Sequence, residues 1–91
     1  MLVIVTKTAE KIPSALGQAV FAQARTVALI QDGVYNTPAR LTAHGLKLAA
    51  GAEILALADD VAARNITAEA RLVSYTELAS AIETNDRVIT L

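Results

Sequence analysis

The chain has 91 residues, 54% hydrophobic and 19% charged, with eight basic and nine acidic side chains, a net charge of -1, and neither cysteine nor tryptophan. That length supports one domain with a thin core, since so short a chain buries only roughly 60–65% of its unfolded surface. The lack of cysteine excludes disulfides, thiolate metal sites and cysteine nucleophiles. Scattered, balanced charge with only Phe21, Tyr35 and Tyr75 as aromatics gives no footprint for nucleic acid.

Leu2-Val3-Ile4-Val5 is the first of five short aliphatic runs, the others lying at 27–30, 54–57, 72–73 and 88–91. They are continuous rather than alternating, as a parallel strand covered on both faces requires. The apolar stretch Met1 to Thr6 breaks at Lys7 with no cleavage-site pattern, so neither a secretion signal nor a membrane span is expected, and the expected compartment is the cytoplasm.

The first helix is expected from Pro13, a residue suited to an initial helical position, to about Ala24, with Leu16, Ala19, Val20 and Ala24 as its core stripe. Phe21 lies off that stripe, beside Gln18 and Arg25. It reads either as an exposed aromatic available for an oligomer contact or as filler at the edge of the core. After the second run, Asp32-Gly33 predicts a tight loop in which Gly33 supplies the unusual dihedral. Tyr35 and Asn36 would be displayed there, and an exposed tyrosine is a common anchor for protein contacts.

The second helix is expected to open with Thr37 as cap and Pro38 at its first position, and to close at Gly51. Leu41, Gly45, Leu48 and Ala49 would share its buried face. Arg40, His44 and Lys47 fall opposite, so the single histidine reads as a surface residue. A short third helix runs from Asp59-Asp60 to Arg64, its terminal charges matching the helix dipole, with Asn65 as a left-handed cap. Thr67 to Arg71 stays open between a loop and an extra helical turn. The fourth helix begins with a capping box, Ser74 to Glu77, carries Tyr75, Leu78, Ala79 and Ile82 along one stripe, and ends at Asn85-Asp86.

Strands alternating with helices predict one α/β domain over residues 1–91, a three-layer α/β/α architecture of flavodoxin-like type with a five-stranded, mostly parallel sheet, right-handed crossovers and helices on both faces. Ligands of such sheets bind outside the carboxyl ends of the strands. Those ends carry Lys7 and Thr8, Gln31 to Asn36, Asp59 and Asp60, and Ser74 and Tyr75, which makes a polar, somewhat acidic mouth. The loop after strand one has no glycine and no phosphate-binding fingerprint occurs, so no cofactor is expected. A dyad of Asp32 with Asp59 for acid and base chemistry is geometrically open, as is a metal held by Asp32, Asp59, Asp60 and waters. The plainer reading is two helix-start caps and a turn acid, since Asp59 and Asp60 do not face each other and no ligand spacing demands a metal.

The run Val27-Ala28-Leu29-Ile30-Gln31-Asp32-Gly33-Val34-Tyr35-Asn36, the run Leu57-Ala58-Asp59-Asp60-Val61-Ala62-Ala63-Arg64-Asn65, and Leu72-Val73-Ser74-Tyr75-Thr76-Glu77-Leu78 together resemble the DsrE/DsrF/DsrH sulfur-relay family, nearest to its DsrH or TusB-type branch. In that branch an apolar strand ends in Gln-Asp-Gly-Val, a later one in an acidic pair followed by Ala-Arg-Gly, and another in Tyr-Thr. The resemblance implies a subunit of a sulfurtransferase assembly in which a sister subunit's cysteine carries a persulfide toward tRNA thiolation or sulfur oxidation. Catalytic members place that cysteine where strand three meets its helix; this chain has Leu57 and Ala58 there, and Asn65 where the branch has glycine. The expectation is a non-catalytic subunit, homo-oligomeric or hetero-oligomeric with cysteine-bearing DsrE/DsrF-like proteins, binding no nucleic acid or membrane directly. Its contacts would use exposed apolar helix faces and the Tyr35 loop, together with the mouth residues Gln31, Asp32, Gly33, Asn36, Asp59, Asp60 and Tyr75. A small ligand-binding or enzymatic domain using the acidic mouth, or a homo-oligomer without chemistry, are the alternatives.

Overall fold

Each aliphatic run becomes a strand: β1 (Leu2–Val5), β2 (Thr26–Leu29), β3 (Glu53–Leu57), β4 (Arg71–Val73) and β5 (Val88–Thr90). The structure, a computed structural model, describes residues 1–91. Four helices connect them, α1 (Ser14–Phe21), α2 (Pro38–Ala43), α3 (Ala58–Ala63) and α4 (Tyr75–Thr84), with 3₁₀ turns at Ala9–Lys11 and Gln31–Tyr35. The sheet is wholly parallel in the order β4-β3-β2-β1-β5. Register sets Val3 beside Val27 and Ile89, and Val27 beside Ile54.

This order explains how the helices divide. From β1 to β4 the chain steps one way across the sheet, so crossovers of one hand place α1, α2 and α3 on the same face. The step from β4 to β5 runs back past β1 and sends α4 to the other face. The two cores agree. Val3, Val5, Val27, Leu29 and Ala56 pack with Val20 and Phe21 of α1, Leu41 of α2 and Val61 of α3. Leu2, Ile4, Ala28, Leu55, Leu57 and Val73 pack with Leu78 of α4.

Three helices differ from expectation in the face they bury or where they end. In α1 the buried residues are Gly17, Val20 and Phe21, while Leu16 is 55% exposed. Phe21, wholly buried, is core rather than a displayed oligomer contact. Helix α1 is rotated from the expected stripe because Gly17 lies against Ile12 and Leu46, where a β-carbon would collide, drawing that side of the helix onto the core.

Helix α2 starts as expected, with the Thr37 hydroxyl accepting from the Arg40 amide and Pro38 at the first position, but it stops after Ala43. Gly45 takes φ +79 and the Leu46 and Gly45 amides donate to the Leu41 and Thr42 carbonyls, a Schellman closure with Leu41 and Leu46 both fully buried. Gly45 is therefore the helix stop rather than part of a helix face. Gly51, also at positive φ, belongs to the turn before β3.

Helix α3 closes in the same way, with Asn65 at φ +51. Residues 67–70 form no helix. In α4 both halves of the capping box are present, but Leu78 is the buried residue, with Ala81 packed beside it, leaving Tyr75 and Ile82 exposed.

Candidate functional site

The exits of β2 and β3 meet at the carboxyl edge of the sheet. Ile30 leads into the turn Gln31–Tyr35, whose first residue adopts φ +51, a conformation strained for a side chain larger than glycine. Gln31, not Gly33, carries the unusual dihedral. Gly33 is needed for space, because a β-carbon there would run into the Val5 carbonyl at the end of β1. With Gly33 pressed onto β1, Val34 plugs the first core and Tyr35 remains 40% exposed.

Asp60 in α3 and Arg64 at that helix's C-terminal cap, one helical turn apart, hold the turn in place. The Gln31 amide donates to Asp60 Oδ2 at 2.6 Å. Arg64 donates from Nε and Nη2 to Asp32 Oδ1 at 3.1 and 3.0 Å, and from Nη1 to the Asp60 carbonyl at 3.3 Å. Its guanidinium also stands 5.9 Å from the centroid of the Tyr35 ring, within cation–π range. One arginine thus ties the turn to α3 and flanks the exposed aromatic.

Of the residues expected at the mouth, Gln31, Asp32, Tyr35 and Asp60 come together around Arg64, with Gly33 beneath them. Asp59 is exposed and outside the network. Tyr75, at the start of α4, is 61% exposed beyond β4. Asn36 is 2% exposed, not displayed: its Nδ2 donates to the Lys7 carbonyl and its Oδ1 accepts from the Ala9 amide, fixing the loop after β1. The Asp32 side chain is 59% exposed and lies against Arg64, unlike the buried, mutually perturbing carboxylates an acid–base dyad needs. No three His, Asp or Glu side chains are placed to share a metal ion.

Sequence reasoning missed two features. Arg64 is the hub of the mouth; its i,i+4 spacing from Asp60 was a signal, whereas its pairing with Asp32 joins elements 32 residues apart. The second is a cleft of about 260 Å³ at the β1/β5 switch point, lined by Lys7, Ile12, Pro13, Leu16, Thr90 and Leu91. Its place follows from where the strand order reverses, which no local pattern reveals.

Residues 10–88 match the family described as DsrH-like protein. The chain belongs to the DsrH-like family. No curated protein and no solved structure matches it. In this DsrH-like chain the matched span takes in the turn Gln31–Tyr35, Asp60, Arg64 and Tyr75, while Lys7 and Thr8 of the mouth precede it. No helix is long and apolar enough to cross a membrane.

Proposed function

We propose that this DsrH-like chain is a non-catalytic subunit of a sulfur-relay assembly of DsrEFH or TusBCD type, serving tRNA 2-thiouridine formation or sulfur oxidation. The carrying observation is membership of the family by a chain with no cysteine. Persulfide transfer proceeds by thiolate attack on a sulfane sulfur, so a chain without thiols neither accepts nor donates it. Where catalytic members bear cysteine, Leu57 is buried in the second core and Ala58 opens α3. The chain's part is to bind cysteine-bearing DsrE/DsrF-like relatives in the cytoplasm, where thiols stay reduced.

The mouth supports such a role. Tyr35 is a large, half-exposed ring on a turn fixed by Asp60 and Arg64, so little conformational entropy is lost when a partner covers it. The test is recovery of a tagged chain from its native host and native mass spectrometry of the complex. Cysteine-bearing relatives in a fixed ratio, with radiolabelled sulfur that a thiol reductant releases from them and none releasable from this chain, are the expected result. A strict monomer that captures no such relative overturns the proposal.

A further inference from the structure

The cleft of about 260 Å³ at the β1/β5 switch point joins aliphatic walls to a free cation. Ile12 and Pro13 of the loop after β1, Leu16 of α1 and Leu91 beyond β5 form the walls, with Lys7 and Thr90 as the polar groups. Leu16 is 55% exposed although its helix buries Val20 and Phe21, so aliphatic surface is left open to water here. The walls are also fixed. The Leu91 carbonyl accepts from both the amide and the hydroxyl of Thr6, and the Leu91 amide donates to the Ile4 carbonyl. Opposite, both hydrogen bonds of the buried Asn36 side chain go to the loop after β1, at the Lys7 carbonyl and the Ala9 amide. A buried amide satisfied in this way sets the course of that loop, and with it the point from which the Lys7 side chain departs.

Charge sets the sign of what the cleft can hold. The ion pairs of the chain join Arg40 to Glu10, Arg64 to Asp32 and Asp60, and Arg71 to Glu53 and Glu77, which leaves Lys7 and Lys11 without carboxylate partners. The carboxyl edge of the sheet is therefore divided. Asp32, Asp59 and Asp60 outnumber Arg64 where β2 and β3 end, whereas Lys7, Lys11 and Arg40 outnumber Glu10 after β1. We infer that the cleft is a binding site for a small aliphatic monocarboxylate, its tail on Pro13, Leu16 and Leu91 and its carboxylate at the Lys7 ammonium. Open parallel sheets bind ligands outside the carboxyl ends of the strands where the strand order reverses, and β1/β5 is that point. The volume lies below the roughly 300–1,000 Å³ of sites for drug-sized molecules, so the tail is short, about four to six carbons. Burial of that tail against the walls supplies the attraction, and the lysine selects a charged head over a neutral one. The site uses neither Tyr35 nor Arg64 and holds whether or not the chain serves a sulfur relay.

Amide shifts of the isotope-labelled chain, titrated separately with hexanoate, 1-hexanol and inorganic phosphate, test this. Hexanoate is expected to shift Lys7, Ile12, Leu16, Thr90 and Leu91 together and to saturate with a dissociation constant of about 1 mM. The neutral alcohol should shift the same amides about fivefold more weakly, and phosphate, which has no tail, should give no saturable shift. Lys7→Gln should weaken hexanoate about fivefold and leave 1-hexanol unchanged, while Leu16→Ser should weaken both; each position is exposed, so the melting temperature should hold. Hexanoate shifts that scatter over the surface or fail to saturate by about 50 mM overturn the inference. Equal affinity for acid and alcohol overturns the role of Lys7, and phosphate binding as tightly as hexanoate shows a lysine that attracts any anion and no site for a carboxylate with a tail.

Discussion

Gly33 shows how little space the mouth leaves: the turn after β2 crosses the last carbonyl of β1, and backbone cannot yield as a flexible side chain can. Gly33→Ala is expected to destabilise by about 2 kcal/mol, read from urea unfolding, as overpacking against fixed atoms does. Arg64 acts differently. Its ion pairs with Asp32 and Asp60 are partly exposed, so Arg64→Gln should cost less than about 1 kcal/mol of global stability. It should still release the strained Gln31, raising amide exchange across Gln31 to Tyr35 by about tenfold while exchange in β1 stays slow. Equal protection of the turn in both chains would show that Arg64 does not hold it. Residue chemistry was legible where partners lie close in sequence: Ser74 with Glu77, Asn65 at a helix end, Thr37 before Pro38. It was illegible where they do not, as with Asn36, whose amide serves the loop after β1 and is buried for that reason.

Helix ends decide the connections, and α2 is the instructive one. Glycine at 45 and glycine at 51 both take left-handed backbone, and propensity alone does not choose between them. The choice fell to Leu46, which reaches the core beside Leu41 only if the helix stops at 45. Gly45→Ala is accordingly expected to cost about 1–2 kcal/mol in thermal or urea unfolding, the penalty of a left-handed residue bearing a β-carbon. Two helix starts also bear on acid stability. Bonds from its own backbone amide and the Thr8 hydroxyl, with the Arg40 guanidinium, lower Glu10 from 4.5 to about 2. The Ser74 amide, then the Ser74 hydroxyl and Arg71, lower Glu77. Because the folded values are depressed, both groups favour the folded state fully above the unfolded value, and that contribution fades as pH falls through the folded value. Melting temperature should therefore decline from pH 4.5 toward about 2, and Glu10→Gln should flatten that decline. An unchanged slope would show that the Glu10 carboxylate is equally depressed in the unfolded chain.

For the molecule as a whole, the contrast between Phe21 and Tyr35 separates stability from assembly. Phe21 is the largest wholly buried side chain, so Phe21→Ala should lose about 3–5 kcal/mol, a large part of what a small domain possesses. Tyr35→Ala should leave the melting temperature nearly unchanged and weaken recovery of cysteine-bearing partners; an equal loss of both would make Tyr35 a packing residue. By itself the sequence determined five strands in a mostly parallel sheet, a single α/β layering, the caps at Thr37, Asn65 and Ser74 and the absence of any thiol, because continuous aliphatic runs, capping residues and composition are local properties. The tertiary structure decided the rest: the β4-β3-β2-β1-β5 order, the three-to-one division of helices, which face each helix buries, and the joining of Asp32 to Arg64. A short helix has apolar residues enough for two faces, and only the position of the sheet and its neighbours fixes which face loses water.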